Sequence, residues 1–194
     1  MSKDRILSNI RTNKPGSRPL PDIPDFVYPV PDLHAAFSQL AEANASRCIT
    51  LTSPDEIKDF MQVQFPEAQQ IASTYNGFTG NVDLSKIEDP SELKQVDVAI
   101  IPGQIGVAEN AAIWVTEEAC VHRVLPVITQ HLILILSKNQ LVGNLHEAYR
   151  KVKIDGTGYG VFIAGPSKTA DIEQSLVIGA QGARSLTIIF IDPS

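Results

Sequence analysis

Only two cysteines, Cys48 and Cys120, occur among the 194 residues, and they lie far apart with no CxxC spacing. An ordinary iron–sulfur cluster needs a full set of thiolates, so this chain alone has too few to hold one. Structural zinc is excluded by the same scarcity, because His34, His122, His131 and His146 are scattered without ligand spacing. No metal is therefore expected. A disulfide framework is absent as well, and two reduced thiols fit a cytoplasmic location. Long apolar runs are missing: the most hydrophobic stretch, 132–136, is far too short to cross a bilayer. The start, Met-Ser-Lys-Asp-Arg, lacks the apolar core of a signal peptide, so no membrane insertion is expected. Basic excess is lacking too. With 16 Lys+Arg against 22 Asp+Glu the net charge is −6, which argues against nucleic acid as the main partner.

What the chain does have is a globular composition, 43% hydrophobic and 20% charged, at a length that buries a real core. Proline is concentrated: Pro15, Pro19, Pro21, Pro24, Pro29 and Pro31 crowd one short segment. Proline fixes φ and removes a donor, so this segment is an extended arm. A short helix over 3–12, with Ile6, Leu7 and Ile10 on one side, precedes it. Residues 1–31 are thus read as helix and arm, and 32–194 as a single α/β domain. Leu20, Ile23, Phe26, Val27 and Tyr28 would lay the arm on a surface of this subunit or another, so a homo-oligomer built through it is one expectation.

From Asp32 onward, helix and strand patterns alternate. Asp32 caps a helix carrying Leu33, Ala36, Phe37, Leu40 and Ala41. Ser53-Pro54-Asp55-Glu56 reads as a capping box opening the next helix. Strands are expected at 47–51, 70–74, 96–101, 111–116, 132–136, 159–164 and 186–191, and helices at 141–152 and 169–179. Apolar strands separated by helices indicate an α/β fold, a Rossmann-like sheet covered by helices on both faces. Ligands of such sheets gather at the carboxyl ends of the strands, which points to loops 102–110 and 165–169.

Three strings carry candidate chemistry. In Gly165-Pro166-Ser167-Lys168-Thr169-Ala170-Asp171-Ile172-Glu173 a strand passes into a helix, where free N–H groups and Lys168 suit an anion. The alternative is plain capping: Ser167 or Thr169 caps, and Asp171 and Glu173 complement the helix dipole and would repel a phosphate. In Pro102-Gly103-Gln104-Ile105-Gly106-Val107-Ala108-Glu109-Asn110 two glycines permit close approach, and Glu109 can serve as base, nucleophile or mere solvated acid. Glu117, Glu118, Cys120, His122 and Arg123 form a polar cluster in which a thiolate–imidazole pair competes with an ordinary helix start.

The run GPSKTADIEQSLVIGAQGARSLTIIFID, at 165–192, closely resembles the carboxy-terminal signature of the LUD-domain family. NQLVGNLHEA at 139–148 and IGVAENAAIWV at 105–115 are similar to two further family stretches. The resemblance implies a fold like that of glucosamine-6-phosphate deaminases, ribose-5-phosphate isomerases and CoA transferases. It also implies a part in oxidising L-lactate to pyruvate beside partner proteins that carry the iron–sulfur clusters, with no cofactor in this chain. A small anionic ligand is implied as well. Gly165, Ser167, Thr169, Asp171 and Glu173 match the signature, and with Gly103 and Asn110 they form the implied ligand-binding set, Glu109 being the catalytic candidate. One departure stands out. Where the family reads Ala-Glu-Thr-Gly-Thr, this chain has Ala108-Glu109-Asn110-Ala111-Ala112, so the hydroxyls and the glycine are gone. Three roles stay open: a lactate-oxidation subunit or accessory factor, a free-standing CoA-transferase-like or isomerase-like enzyme using Glu109, and a non-catalytic interaction module.

Overall fold

The computed structural model describes residues 2–22, 24–26, 29–153, 158–168, 179 and 181–192. In chain order its elements are α1 (Lys3–Thr12), α2 (Leu33–Ala43), β1 (Arg47–Leu51), α3 (Glu56–Gln64), β2 (Ile71–Ser73), β3 (Val98–Pro102), β4 (Ile105–Val107) and β5 (Ala112–Thr116). There follow α4 (Glu117–Cys120), α5 (Leu125–Ile128), β6 (His131–Leu136), β7 (Leu141–Val142), α6 (Leu145–Lys151), β8 (Gly160–Ile163) and β9 (Ser185–Ile191). Short 3-10 turns occupy Leu84–Lys86, Pro90–Gln95 and Lys138–Gln140.

Five strands form a central parallel sheet in the order β1-β9-β6-β3-β2. Its inner strands β3, β6 and β9 are apolar at nearly every position because both faces are covered, and the period of two sorts side chains by shape. Ala99, Ile101, Leu132, Leu134, Leu136, Leu186, Ile188 and Phe190 face Phe37 and Ala41 of α2 on one side. Val98, Ile100, Ile133, Ile135, Ile189 and Ile191 face Ile57 and Met61 of α3 on the other. Each fully buried Leu or Ile contributes roughly 1.5–3 kcal/mol of transfer free energy, so these two layers supply most of the driving force.

The α/β expectation with helices on both faces is met, and the sequence reading needs three corrections. The hydrophobic stretch 141–152 is not one helix: Leu141 and Val142 form β7, paired with β4, and α6 begins only after Asn144. Asn144 accepts from the Glu147 N–H at 2.9 Å, so a side-chain cap sets the boundary that apolar periodicity alone did not reveal. Secondly, β4 was missed inside the glycine-containing string 102–110. It builds a second, smaller sheet in the order β7-β4-β5-β8, in which β4 and β5 form an antiparallel hairpin. Thirdly, the capping box at α3 is displaced, because Glu56 Oε1 accepts from the N–H of Thr52 at 3.2 Å rather than from Ser53. The helix expected at 169–179 falls outside the described residues, Gly179 excepted.

Among the described residues of the arm, Asp25 and Phe26 touch α6 of the same subunit. The Phe26 ring stacks on His146 with centroids 4.5 Å apart, the Asn144 side chain donates to the Phe26 carbonyl at 2.9 Å, and Asp25 pairs with Arg150. By contrast α1 buries no residue at all. Among the described residues no helix is long and apolar enough to cross a membrane.

Candidate functional site

The carboxyl ends of the central strands surround a cleft of about 550 Å³. Pro102 and Gly103 follow from β3, Leu136 and Ser137 from β6, and Ile191 from β9, while Pro54 and Tyr75 reach in from the loops after β1 and β2. This is where a parallel sheet with crossover connections leaves room for a ligand. Gly103 is essential to the shape. Its N–H donates to the Ile135 carbonyl at 2.8 Å, and a Cβ there would meet Ile113 at 2.5 Å, so only glycine lets the β4–β5 hairpin leave over the sheet.

The polar wall comes from Ser137-Lys138-Asn139-Gln140. Gln140 Oε1 accepts from the Ser137 N–H at 2.8 Å, and the reciprocal bond of a capping box is also present. Asp192, just past β9, accepts from the Ser137 hydroxyl at 3.3 Å and the Lys138 N–H at 3.2 Å. Its second oxygen lies 3.0 Å from Lys138 Nζ. The bond from Lys138 holds the Asp192 carboxyl below the usual carboxylate range. Close by, burial and then the Lys138 charge lower the pKa of His34, whose ring meets Phe190 edge-on at 4.6 Å. The lining residues themselves carry no formal charge: Tyr75, Ser137, Asn139 and Gln140 supply hydrogen-bonding groups above the apolar floor of Ile135, Leu136 and Ile191. Such a wall can orient a small polar molecule. Sequence reasoning missed these four residues. The signal was there in Ser-Lys-Asn-Gln, a capping-box string directly after a buried strand.

Of the described residues expected to bind ligand or catalyse, Gly103 alone lines this cleft, beside Pro102 of the same string. Residues 108–111 form the turn of the β4–β5 hairpin, and none of them lines the cleft. There Glu109 Oε1 accepts from the Leu145 N–H at 2.7 Å and so holds the start of α6. Asn110 Oδ1 accepts from the Ala112 N–H at 3.0 Å, and its main-chain carbonyl accepts from the Asn44 side chain at 3.2 Å. Ala111 takes φ 55, a left-handed conformation that favours the glycine of the family pattern. Gly165, at φ 86, packs on the other side of Asn44, where an added Cβ would lie 2.8 Å from the Asn44 carbonyl oxygen. The Ser167 N–H donates to the Ala183 carbonyl at 2.9 Å, and its own carbonyl accepts from Gly179 at 3.0 Å. Asn110 of loop 102–110 and Gly165 of the second loop therefore meet at Asn44, the cap residue of α2 that precedes β1. Thr169, Asp171 and Glu173 lie outside the described residues.

The cysteine–histidine cluster is not a nucleophilic pair. Cys120 is fully buried, and burial, helped by the Glu117 charge, pushes its thiol up to about 12. The thiolate is the nucleophile, so this thiol is inert at neutral pH. His122 Nε2 instead lies 2.9 Å from the Leu84 carbonyl, and Arg123 forms a two-pronged pair with Glu117 at 2.6 and 2.8 Å. Cys48, on β1, is likewise pushed up to about 11 by burial. The two thiols sit on separate elements, β1 and α4.

Residues 67–191 match the family model of the LUD domain. Lactate utilization protein C of Shouchella clausii is 32% identical over 118 residues, 58% of this chain and 50% of that protein. Lactate utilization protein C of Oceanobacillus iheyensis is 28% identical over 132 residues, 61% of this chain and 56% of that protein. An uncharacterized protein of Neisseria meningitidis serogroup B is 30% identical over 101 residues, 50% of this chain and 43% of its own length. The chain thus spans about half the length of the curated relatives it matches. A crystal structure of a DUF162 family protein from Deinococcus radiodurans superimposes with a TM-score of 0.59 at 13% identity, covering 82% of this chain and 96% of that one, which supports the fold alone. With the family model matching well over half of the chain, this protein belongs to the LUD domain family.

Proposed function

We propose that this chain is a component of a system that oxidises L-lactate, or a related organic acid, to pyruvate, and that it works as a subunit or accessory factor. The observation that carries the reading is its similarity, within the LUD domain, to two proteins named lactate utilization protein C. The cleft over β3, β6 and β9 is the place for a small hydroxy or keto acid, whose oxygens suit the hydrogen-bonding groups of Tyr75, Ser137, Asn139 and Gln140. Its short apolar body suits Ile135 and Ile191.

Oxidising a 2-hydroxy acid to a 2-keto acid releases a pair of electrons and a pair of protons. Partner proteins carrying iron–sulfur clusters would accept those electrons, because Cys48 and Cys120 stand on separate elements with both thiols held protonated by burial. The competing reading, a CoA-transferase-like or isomerase-like enzyme with Glu109 as nucleophile, has less support. Glu109 already accepts the Leu145 N–H at the start of α6, and it does not line the cleft.

Purifying the chain with candidate iron–sulfur partners and measuring L-lactate-dependent acceptor reduction tests the proposal. Activity that falls when this chain is omitted agrees with it, and activity unchanged by the omission overturns it.

A further inference from the structure

The amino-terminal helix is the feature that neither the fold nor the proposed chemistry uses. Ile6, Leu7 and Ile10 line one side of α1 and remain 46%, 38% and 60% exposed. A helix of ten residues with nothing buried is too short to hold its own in water, since helices below about 12–15 residues are marginal without tertiary packing. Its stability has to come from a surface that the single chain does not provide where α1 lies.

The charge distribution indicates which kind of surface. Lys3, Arg5, Arg11, Lys14 and Arg18 against Asp4 give the first 21 residues a net charge of +4. With −6 on the whole chain, the remainder carries −10. Within that acidic body a second groove, besides the cleft, combines apolar lining with carboxylates. It runs beside β2, the edge strand of the central sheet, as two cavities of about 690 and 310 Å³ that share Val82. Phe78, Val82, Leu84 and Val121 supply apolar lining, and Asp83 and Glu118 line the larger cavity. The segment 83–97 alongside carries Asp83, Glu88, Asp89, Glu92 and Asp97 against Lys86 and Lys94. Among the described residues no lysine or arginine lines the larger cavity, though Lys86 pairs with its Asp83 at 2.9 Å.

We infer that α1 of one copy docks in the β2-edge groove of a second copy, making a homodimer by exchange of arms. An apolar stripe flanked by cations matches an apolar floor flanked by carboxylates, which is helix-in-groove recognition with complementary charge. A ten-residue helix is about 15 Å long. The linker 13–24, anchored beyond it where Asp25 and Phe26 meet α6, extends to about 40 Å. An exchange of this kind is isologous and closes at two copies. Tyr75 lines both the cleft and the larger cavity of the groove, but Glu118 and Val121 line the groove and not the cleft, so sedimentation of the groove variant reads the docking apart from the lactate proposal.

Sedimentation of the full chain at about 100 µM and low salt reads the assembly directly. The expected mass is twice that of one chain, falling toward one chain at about 0.5 M salt as the charges are screened. Two full-length variants, Ile6→Ser/Ile10→Asp in the helix and Glu118→Lys/Val121→Asp in the groove, should each sediment as single chains with unchanged unfolding cooperativity. Mixed together they should recover doubled mass, because each supplies what the other lacks. A wild-type mass of one chain overturns the proposal, whether α1 is frayed or folded back on its own body. So does a doubled mass that survives deletion of residues 2–22, or two single-chain variants that fail to complement.

Discussion

The side-chain amide of Asn44 donates to the main-chain carbonyl of Asn110 at 3.2 Å, joining the end of α2 to the turn of the β4–β5 hairpin. Gly165 packs against the carbonyl of the same Asn44. Asn44→Ala should cost about 1 kcal/mol, the net worth of one hydrogen bond. Gly165→Ala should cost more, about 2 kcal/mol or above, because it combines a left-handed φ of 86° with a 2.8 Å contact to backbone. Urea unfolding of the two variants checks the order, and a Gly165→Ala protein as stable as wild type would contradict it.

Glu109 should behave as a positioning residue. Glu109→Gln keeps an acceptor for the Leu145 N–H and loses only the charge near a helix start, a loss of about 0.5–1 kcal/mol. Glu109→Ala leaves that N–H without its acceptor and should cost about 1–2 kcal/mol. Thermal unfolding gives the stabilities, and lactate oxidation by the reconstituted system should survive Glu109→Gln. Complete loss of turnover at unchanged stability would make Glu109 catalytic instead.

Val121 occupies φ 62, ψ −51, and the His122 N–H donates to the Cys120 carbonyl at 2.7 Å, closing a γ-turn of the strained, positive-φ kind. A β-branched residue is out of place there, and Val121 is half-exposed, so little burial opposes its removal. Val121→Gly should stabilise the fold by up to about 1 kcal/mol. Denaturant titration at low protein concentration measures this; a destabilised variant would contradict the strain.

Stability should also depend on pH at both ends. Burial lowers the pKa of His34 and His131 below the usual 6.5, so the unfolded chain takes up protons first as pH falls. Stability from these residues is complete above 6.5 and is lost progressively below it. The buried thiols work in the opposite sense. Cys48 and Cys120 are raised from 9.0 to about 11 and about 12, so the unfolded chain ionises first and stability falls above pH 9. Unfolding midpoints between about pH 5 and pH 10 should trace a plateau with both shoulders, and His131→Asn should flatten the acid side. A midpoint that rises toward pH 5 would be inconsistent with neutral buried imidazoles.

Much of the central sheet was legible because burial on both faces leaves continuous apolar strings, as at 132–136 and 186–191. The small sheet was not. Two-residue β7 and three-residue β4 are too short to show a period, and Leu141-Val142 followed by Leu145 and Ala148 fits a helical spacing as well as a strand and a cap. The site was legible only in Gly103. Motif resemblance drew attention to Glu109, Asn110, Gly165 and Ser167, whose described contacts knit backbone together. The cleft is lined by Tyr75, Ser137, Asn139 and Gln140, which stand in ordinary-looking loops and gain meaning only from lying at strand carboxyl ends.

Lactate-dependent acceptor reduction by this chain with candidate iron–sulfur proteins, compared across wild type, Glu109→Gln and the cleft variant Tyr75→Phe/Asn139→Leu, tests the central claim most directly. The cleft variant should lose most of the rate while unfolding like wild type, and Glu109→Gln should retain it. A rate that ignores the cleft substitutions, or that persists with the chain left out, would contradict the account.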